Sequence, residues 1–303
     1  MANNALSEGE LLSTMDQKLS QTFVNVGGTI SLYSGLPISI PQGVLLRRLL
    51  PPNHPVWELR ETLFYKIEAI GFHVRQLKNL ADHYSSRSVT EMMEFRKDPN
   101  NLRHVAQQHL FLFDDVIYSA ASLMDNVGNL IGYIFYGDQR RKLKWKGAAE
   151  SAGKQEGSKK YDQSQLILKG QIAPLIRKYN DELWKGLEQY RAEIYHYHGT
   201  DATAIQRINL MGKEISGVFV SVPDRYRKHM KTFSNTYPNS ETAILVATVW
   251  TALKVTDAVN EMLFALQQDI MRLSGSNVFC WDKRDDRFSQ KSETARAAPD
   301  SNS

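Results

Sequence analysis

Long stretches without proline are the feature that most restricts how this 303-residue chain can fold. A proline inside a helix removes a backbone hydrogen bond and clashes with the preceding turn, so its absence permits long helices. In most of these stretches apolar residues also recur every three or four positions, the spacing of one helix face. The pattern predicts four long helices, at about 56–84, 102–135, 174–198 and 242–272.

These segments favour an all-α fold, in which residues 53–275 form an up-and-down bundle of four long helices. Residues 1–52 are predicted to be a helix-poor N-terminal arm with room for a small β-hairpin. The reason is that "TFVNVGGTISLY" alternates around Gly27-Gly28, a two-residue turn signal. Residues 276–303 are polar and lack periodicity, which predicts a disordered C-terminal tail.

Cysteine usage and hydropathy exclude several classes of protein. Cys280 is the single cysteine, which rules out an intramolecular disulfide and a cysteine-rich zinc site. No stretch has the roughly 18 apolar residues of a membrane span, and the N-terminus lacks the pattern of a secretory signal. Phosphate-binding glycine loops, dinucleotide fingerprints and His-Glu-x-x-His are also missing from the sequence. We therefore expect a cytoplasmic protein without a metal, a cofactor or a membrane anchor.

A basic segment interrupts the helical pattern at residues 137–162, where glycine, serine and lysine predict a flexible loop. Eight Lys or Arg residues stand against three Asp or Glu residues between Gly137 and Lys160. An aromatic ring among cations can stack on a base while the cations bind phosphates. The candidate nucleic-acid-binding residues are Arg140, Arg141, Lys142, Lys144, Trp145 and Lys146. A solvated loop without a ligand is the alternative.

The second predicted helix has a polar stripe opposite its apolar face. Asp114, Tyr118, Ser122, Asp125 and Asn129 form this stripe. We interpret the stripe as a solvated face, with pocket-lining roles for the two aspartates as the alternative. Gly128 and Gly132 have the spacing of small residues that permit one close packing contact.

The stretch "YRAEIYHYHG" at 190–199 holds the candidate catalytic residues Arg191, His196 and His198. Arginine offers a fixed fork of donors to phosphate oxygens, and histidine can move a proton near neutral pH. At 100° per residue, His198 lies about 20° from Arg191 on the helix, whereas His196 lies about 140° away. Geometry therefore selects His198 as the partner of Arg191.

An arginine followed after four to six residues by histidine, near the end of a helix in a helical bundle, resembles the HEPN superfamily (higher eukaryotes and prokaryotes nucleotide-binding). The likeness spans about residues 55–275 and includes "HLFLFDDVIYSAASLMDNVGNLI". The resemblance implies a metal-independent endoribonuclease or an RNA-binding component of a bacterial toxin–antitoxin or defence system, acting as a dimer. Active members usually carry Asn, Asp or His directly after the arginine, where this chain has Ala192.

Two alternatives to catalysis stay open at this point. The same residues suit non-catalytic binding of a nucleotide or RNA, and they also suit a non-enzymatic helical protein that binds a partner or small ligand. In the second case Arg191 and His198 would be structural, with Glu188 as a neighbour three residues before the arginine. A homodimer is expected in each case, because long amphipathic helices often bury a second face against a copy of themselves.

Overall fold

The computed structural model describes residues 8–35, 37–39, 45–47, 50–85, 89–136, 143–153, 167–196, 204–207, 217–275, 279–282 and 287–290. Within these ranges the chain is predominantly helical, as the proline-free stretches predicted. The helices are α1 (Glu8–Ser34), α2 (Pro55–Ser85), α3 (Val89–Arg96), α4 (Pro99–Tyr136), α5 (Lys144–Ala152), α6 (Ile172–Tyr179), α7 (Lys185–His196), α8 (Asp224–His229), α9 (Lys231–Thr236) and α10 (Ile244–Gly275). A π-helical segment, Asn180–Trp184, joins α6 to α7. The described residues thus contain more than four helices, and a four-helix up-and-down bundle is not confirmed.

The helices α2, α4 and α10 occupy the stretches where the periodicity was strongest. The apolar face predicted for α2 is sealed from solvent, with side chains that are at most 3% exposed at Leu63, Ile67, Ile70, Val74 and Leu77. Burying one such side chain contributes about 1.5–3 kcal/mol, so this face alone accounts for much of the packing of α2. Across the described ranges, no helix has the length and apolar character needed to cross a membrane.

The prediction of a helix-poor N-terminal arm with a turn at Gly27-Gly28 is wrong. Both glycines lie inside α1, which runs from Glu8 to Ser34. A second periodicity explains the helix, because buried residues recur every three or four positions through the segment, at Met15, Leu19, Thr22, Val26, Ile30 and Tyr33. This longer pattern outweighs the short alternation around the glycines, since one buried face runs the whole length of the helix.

Short antiparallel hairpins account for the strands. β1 (Pro37–Ser39) pairs with β2 (Leu45–Arg47), and β3 (Ala204–Arg207) pairs with β4 (Gly217–Val220). β5 (Phe279–Asp282) pairs with β6 (Arg287–Gln290), with Trp281 opposite Phe288 in the register. These last two strands fall within the tail that was predicted to be disordered. Their aromatic residues favour strand pairing over the polar character of the surrounding sequence.

The contacts divide the chain into two compact units. The first consists of Met1–Thr22, Tyr65–Met124 and Lys178–Ala258, and the second of Phe23–Phe64, Asp125–Arg177 and Val259–Ser303. Each unit therefore draws on segments that are distant in sequence. The candidate catalytic residues belong to the first unit, and the basic segment belongs to the second.

In the second unit, two residues of the polar stripe of α4 cap the start of α5. The backbone N–H of Lys144 donates to Asn129 Oδ1 at 3.1 Å, and that of Trp145 donates to Asp125 Oδ1 at 3.2 Å. Both donors belong to the first turn of α5, where a helix has no internal acceptors. Asp125 and Asn129 are partly exposed, and they also cap another helix, a role that the interpretation as a solvated face did not include.

Gly128 makes the close contact that was predicted for it. A Cβ atom on Gly128 would lie 2.4 Å from the carbonyl carbon of Lys144 and 2.5 Å from the backbone nitrogen of Trp145. The backbone of α5 thus rests directly on the α4 backbone, between the two capping side chains. Lys144 has a φ of 48°, a left-handed backbone conformation that residues other than glycine rarely adopt. The close approach and the two caps hold that conformation in place.

Candidate functional site

Arg191 lies on α7 and is partly exposed. Its guanidinium carbon is 5.8 Å from the ring centroid of Trp184, two helical turns earlier. Trp184 is the last residue of the π-helical segment and is 2% exposed. A cation over the face of an indole is attracted by the ring quadrupole, so the buried tryptophan fixes where the guanidinium sits. The arrangement places a positively charged, partly exposed group at the margin of the first unit's core.

One buried face runs from α6 through the π-helical segment into α7. Its side chains are between 0% and 7% exposed, at Ile176, Tyr179, Leu183, Leu187 and Tyr190. The hydroxyl of Tyr190 donates to Asp114 Oδ1 on α4 at 3.0 Å. Asp114 is partly exposed and accepts a hydrogen bond that ties α4 to α7.

An aromatic cluster packs against the buried side of α7. The ring centroids of Tyr190 and Phe113 are 5.8 Å apart, those of Tyr190 and Tyr226 are 5.5 Å apart, and Phe233 follows at 5.3 Å from Tyr226. The rings meet edge to face, the geometry in which such pairs attract. The hydroxyl of Tyr226 is 2.6 Å from Thr251 Oγ1, and burial raises the pKa of Tyr226 above its ordinary value. These contacts fix α7 against α4, α8 and α10.

A clamp of polar side chains joins α7 to α8, and no sequence pattern predicted it. Glu193 Oε1 lies 2.8 Å from His229 Nε2 and 3.2 Å from Lys228 Nζ. The other ring nitrogen of His229, Nδ1, is 3.1 Å from Gln189 Oε1. Both ring nitrogens therefore lie within 3.1 Å of oxygen atoms on α7, which belong to residues one turn apart. We call Gln189, Glu193, Lys228 and His229 the α7–α8 clamp.

The clamp is electrostatically coupled and depends on close packing. The hydrogen bond from His229 lowers the pKa of Glu193, desolvation opposes it, and Lys228 lowers the pKa further. A carboxyl group whose pKa is lowered by folding stabilises the folded state at pH values above its ordinary pKa. This stabilisation is lost as the pH falls through the folded-state pKa. Gly186 lets α8 approach, since a Cβ atom there would lie 2.8 Å from the carbonyl oxygen of His229. No local motif could reveal this pairing, because Glu193 and His229 are far apart in sequence.

The histidines of the candidate site lie at and beyond the end of α7. His196 is the last residue of that helix, and His198 lies outside the described residues. The angle predicted for His198 assumes that the helix continues to residue 198. The described part of the helix ends at His196. The preference for His198 over His196 stays a prediction.

The basic segment contains a short helix, α5, and so is not a loop throughout. Lys144 and Lys146 are exposed, as a phosphate contact would require. Trp145 is 0% exposed, and its ring packs in the core of the second unit. The prediction that Trp145 stacks on a base is therefore wrong for this structure, because the ring is buried when α5 is folded. Arg140, Arg141 and Lys142 lie outside the described residues.

A metal site needs several ligand side chains close together. Among the described residues, no group of three or more His, Cys, Asp or Glu side chains is arranged to hold a metal ion. The chain matches no protein-family model, and neither a curated protein nor a solved structure is significantly similar to it.

Proposed function

We propose that the chain is a HEPN-like helical protein with a metal-independent ribonuclease site at the C-terminal end of α7. Arg191 binds the phosphate, and His198 or His196 transfers the proton. The observation that carries the proposal is the guanidinium of Arg191, partly exposed and held over Trp184 five residues before α7 ends. The proposal takes α2, α4, the stretch from α6 to α7, and α10 as the four helices of an up-and-down bundle.

The chemistry follows from the two kinds of side chain. A histidine accepts the proton of a ribose 2′-hydroxyl, the 2′ oxygen forms a bond to phosphorus, and the bond from phosphorus to the 5′ oxygen breaks. The leaving 5′ oxygen takes up a proton, which leaves a 2′,3′-cyclic phosphate and a 5′-hydroxyl. Arg191 stabilises the negative charge that builds on the phosphate oxygens.

The proposal includes RNA as the substrate, a homodimer as the assembly and the cytoplasm as the location. In the second unit, the exposed side chains of Lys144 and Lys146 are candidates for separate phosphate contacts. A role in a bacterial toxin–antitoxin or defence system, and a further protein partner, follow from the resemblance alone. The second candidate function is a non-enzymatic helical protein that binds a partner or small ligand. The stacking on Trp184 favours it to the same degree, because a buried indole also serves as a structural partner for Arg191.

Cleavage assays on single-stranded RNA in a metal chelator separate the two candidates. We expect Arg191→Ala to lower the cleavage rate by about 100-fold, the loss that follows removal of one donor to a developing oxyanion. His198→Ala should abolish cleavage, and His196→Ala should leave most of it. Lys185→Ala is the matched control, an exposed cation on the same helix that pairs with Asp181 at 2.6 Å and should change the rate less than about twofold.

Melting temperatures of the same variants decide the alternative. If wild type cleaves no RNA and Arg191→Ala lowers the melting temperature, Arg191 is structural and the ribonuclease proposal fails. If Arg191→Ala and Lys185→Ala reduce cleavage equally, the effect is general electrostatics and the assigned role of Arg191 is wrong.

A further inference from the structure

A groove lies between α2 and α4 in the first unit. The two helices are antiparallel here, because His73 Nδ1 is 3.8 Å from Asp115 Oδ2 and the hydroxyl of Tyr84 is 3.5 Å from Gln108 Oε1. The groove has a volume of about 510 Å³, within the usual range for binding sites. Its lining consists of Phe72, Gln76, Asn79, Leu80, His83 and Leu112.

Most of the lining belongs to one face of α2, whose members recur at intervals of three and four residues. From Phe72 to His83 this face extends about 16 Å along the helix, the length of about five residues of extended chain. Phe72 is 53% exposed, and Phe111, the neighbour of Leu112 on α4, is 64% exposed. Exposed apolar side chains of this kind commonly mark an interaction site.

Two side-chain amides in the lining are free to bind a ligand. Gln76 and Asn79 are exposed, and within the described part of the chain neither side chain has a hydrogen-bond partner. A side-chain amide offers both donors and an acceptor. An extended peptide has backbone N–H and C=O groups that need partners, whereas a helix bonds most of these groups internally. The two amides therefore suit an extended peptide better than a helical one.

The charged side chains around the groove favour an uncharged ligand. None of the six lining residues is Asp, Glu, Lys or Arg. The charged groups beside the lining face opposite charges of the same chain or a histidine, in the pairs Arg75 with Asp16, Lys78 with Asp82, and Asp115 with His73. Glu68, Arg103 and His104 are exposed on the same two helices but lie outside the lining. A nucleic-acid strand needs cations for its phosphates, and the lining supplies no lysine or arginine.

We propose that this groove binds an uncharged segment of a partner protein in an extended conformation. Gln76 and Asn79 exchange hydrogen bonds with the backbone of that segment. Alternate apolar side chains of the segment pack against Phe72, Leu80 and Leu112, because successive side chains of an extended chain point to opposite sides. The proposal does not rest on the ribonuclease activity, since none of the lining residues belongs to that site.

Selection from a phage-displayed library of random peptides, each roughly nine residues long and so longer than the groove, tests the binding on the full-length chain. We expect the enriched peptides to be uncharged and to alternate apolar with polar residues. The same selection on Phe72→Ala should not enrich them. An absence of enriched peptides, enrichment of strongly charged ones, or equal enrichment on Phe72→Ala would overturn the proposal.

Titration with the most enriched peptide, synthesised with capped ends, separates hydrogen bonding from apolar contact. The double variant Gln76→Leu with Asn79→Leu adds apolar surface but removes both amides. We expect it to raise the dissociation constant at least about tenfold, because two hydrogen bonds are lost. Phe72→Ala should raise it by a similar factor, the effect of losing an interface anchor. Phe264→Ala is the matched control, because Phe264 is 63% exposed on α10 and does not line the groove; it should leave the dissociation constant unchanged.

Unchanged or tighter binding by the leucine double variant would overturn the proposal, because apolar contact alone would then hold the peptide. Binding of a single-stranded RNA oligonucleotide and self-association in sedimentation are measured on the same variants. If Phe72→Ala abolishes either of these and leaves peptide binding intact, the groove belongs to RNA or to a second copy of the chain, and the proposal fails.

Discussion

Replacing Asp269 with alanine should lower the free energy of unfolding by about 3–4 kcal/mol, since each buried donor left without an acceptor costs about 1–3 kcal/mol. Asp269 lies on α10 and is 0% exposed. Its carboxylate accepts the backbone N–H of Gln171 at 2.8 Å and that of Ile172 at 3.1 Å. Asp269 therefore caps the start of α6 from another helix. The first backbone N–H groups of α6 have no acceptor within α6 itself.

The neighbourhood of Asp269 leaves little room for a replacement acceptor. A Cβ atom on Gly170 would lie 2.8 Å from Asp269 Oδ2, which shows how closely the chain approaches the carboxylate. Arg272 Nε is 3.4 Å from Oδ1, so the alanine variant also removes the counter-charge of that arginine. Asp269→Asn keeps one oxygen acceptor and should show a smaller loss of stability.

Urea unfolding followed by circular dichroism measures the effect, with Asp257→Ala as the matched control. Asp257 lies on the same helix, is 40% exposed and forms an ion pair with Lys18. An exposed ion pair contributes about 0–1 kcal/mol, so the control should lose much less stability than Asp269→Ala. Equal losses for the two variants would contradict the capping role of Asp269.

Replacing Gly128 with alanine should lower the free energy of unfolding by about 3 kcal/mol, the upper part of the range for overpacking. The added methyl group would lie 2.4–2.6 Å from backbone atoms of Lys144 and Trp145. Backbone atoms cannot rotate away as a side chain can, so α5 would have to move. That movement would strain the hydrogen bonds to Asp125 and Asn129 and loosen the buried ring of Trp145.

Gly27→Ala provides the control for helix propensity. Gly27 also lies inside a long helix, but the nearest atom to its Cβ position is the ring of Phe64 at 3.9 Å, an ordinary contact. Alanine favours the helix over glycine by about 1 kcal/mol, so Gly27→Ala should stabilise the protein by up to that amount. If Gly128→Ala is also neutral or stabilising, α5 does not rest on α4 as described.

The long helices were predictable because their apolar faces repeat over many turns. The face of α2 from Leu63 to Leu77 is legible in the sequence and buried in the structure. In α1 the same kind of repeat is present, but the Gly27-Gly28 pair predicted a turn in the middle of it. A local turn signal is weak against a buried stripe that continues on both sides of it.

The polar contacts were not predictable, because they join residues that are far apart in the chain. Asp125 and Asn129 have the spacing of a solvated face, and only the position of α5 shows that they cap a helix. Trp145 stands among lysines in the sequence, yet its ring is buried while the lysines on either side are exposed. The partner of Glu193 likewise depends on where the fold brings α8. Composition and spacing determine none of these three tertiary positions.

Analysis of the RNA termini tests the central claim about Arg191 most directly. The protein is incubated with a single-stranded RNA in a metal chelator, alongside an oligonucleotide of the same sequence in which every ribose is 2′-deoxy. We predict products with a 2′,3′-cyclic phosphate and a 5′-hydroxyl from the RNA, no cleavage of the deoxy strand, and loss of these products with Arg191→Ala. Cleavage of the deoxy strand, or the same cyclic products from Arg191→Ala at the wild-type rate, would contradict the claim.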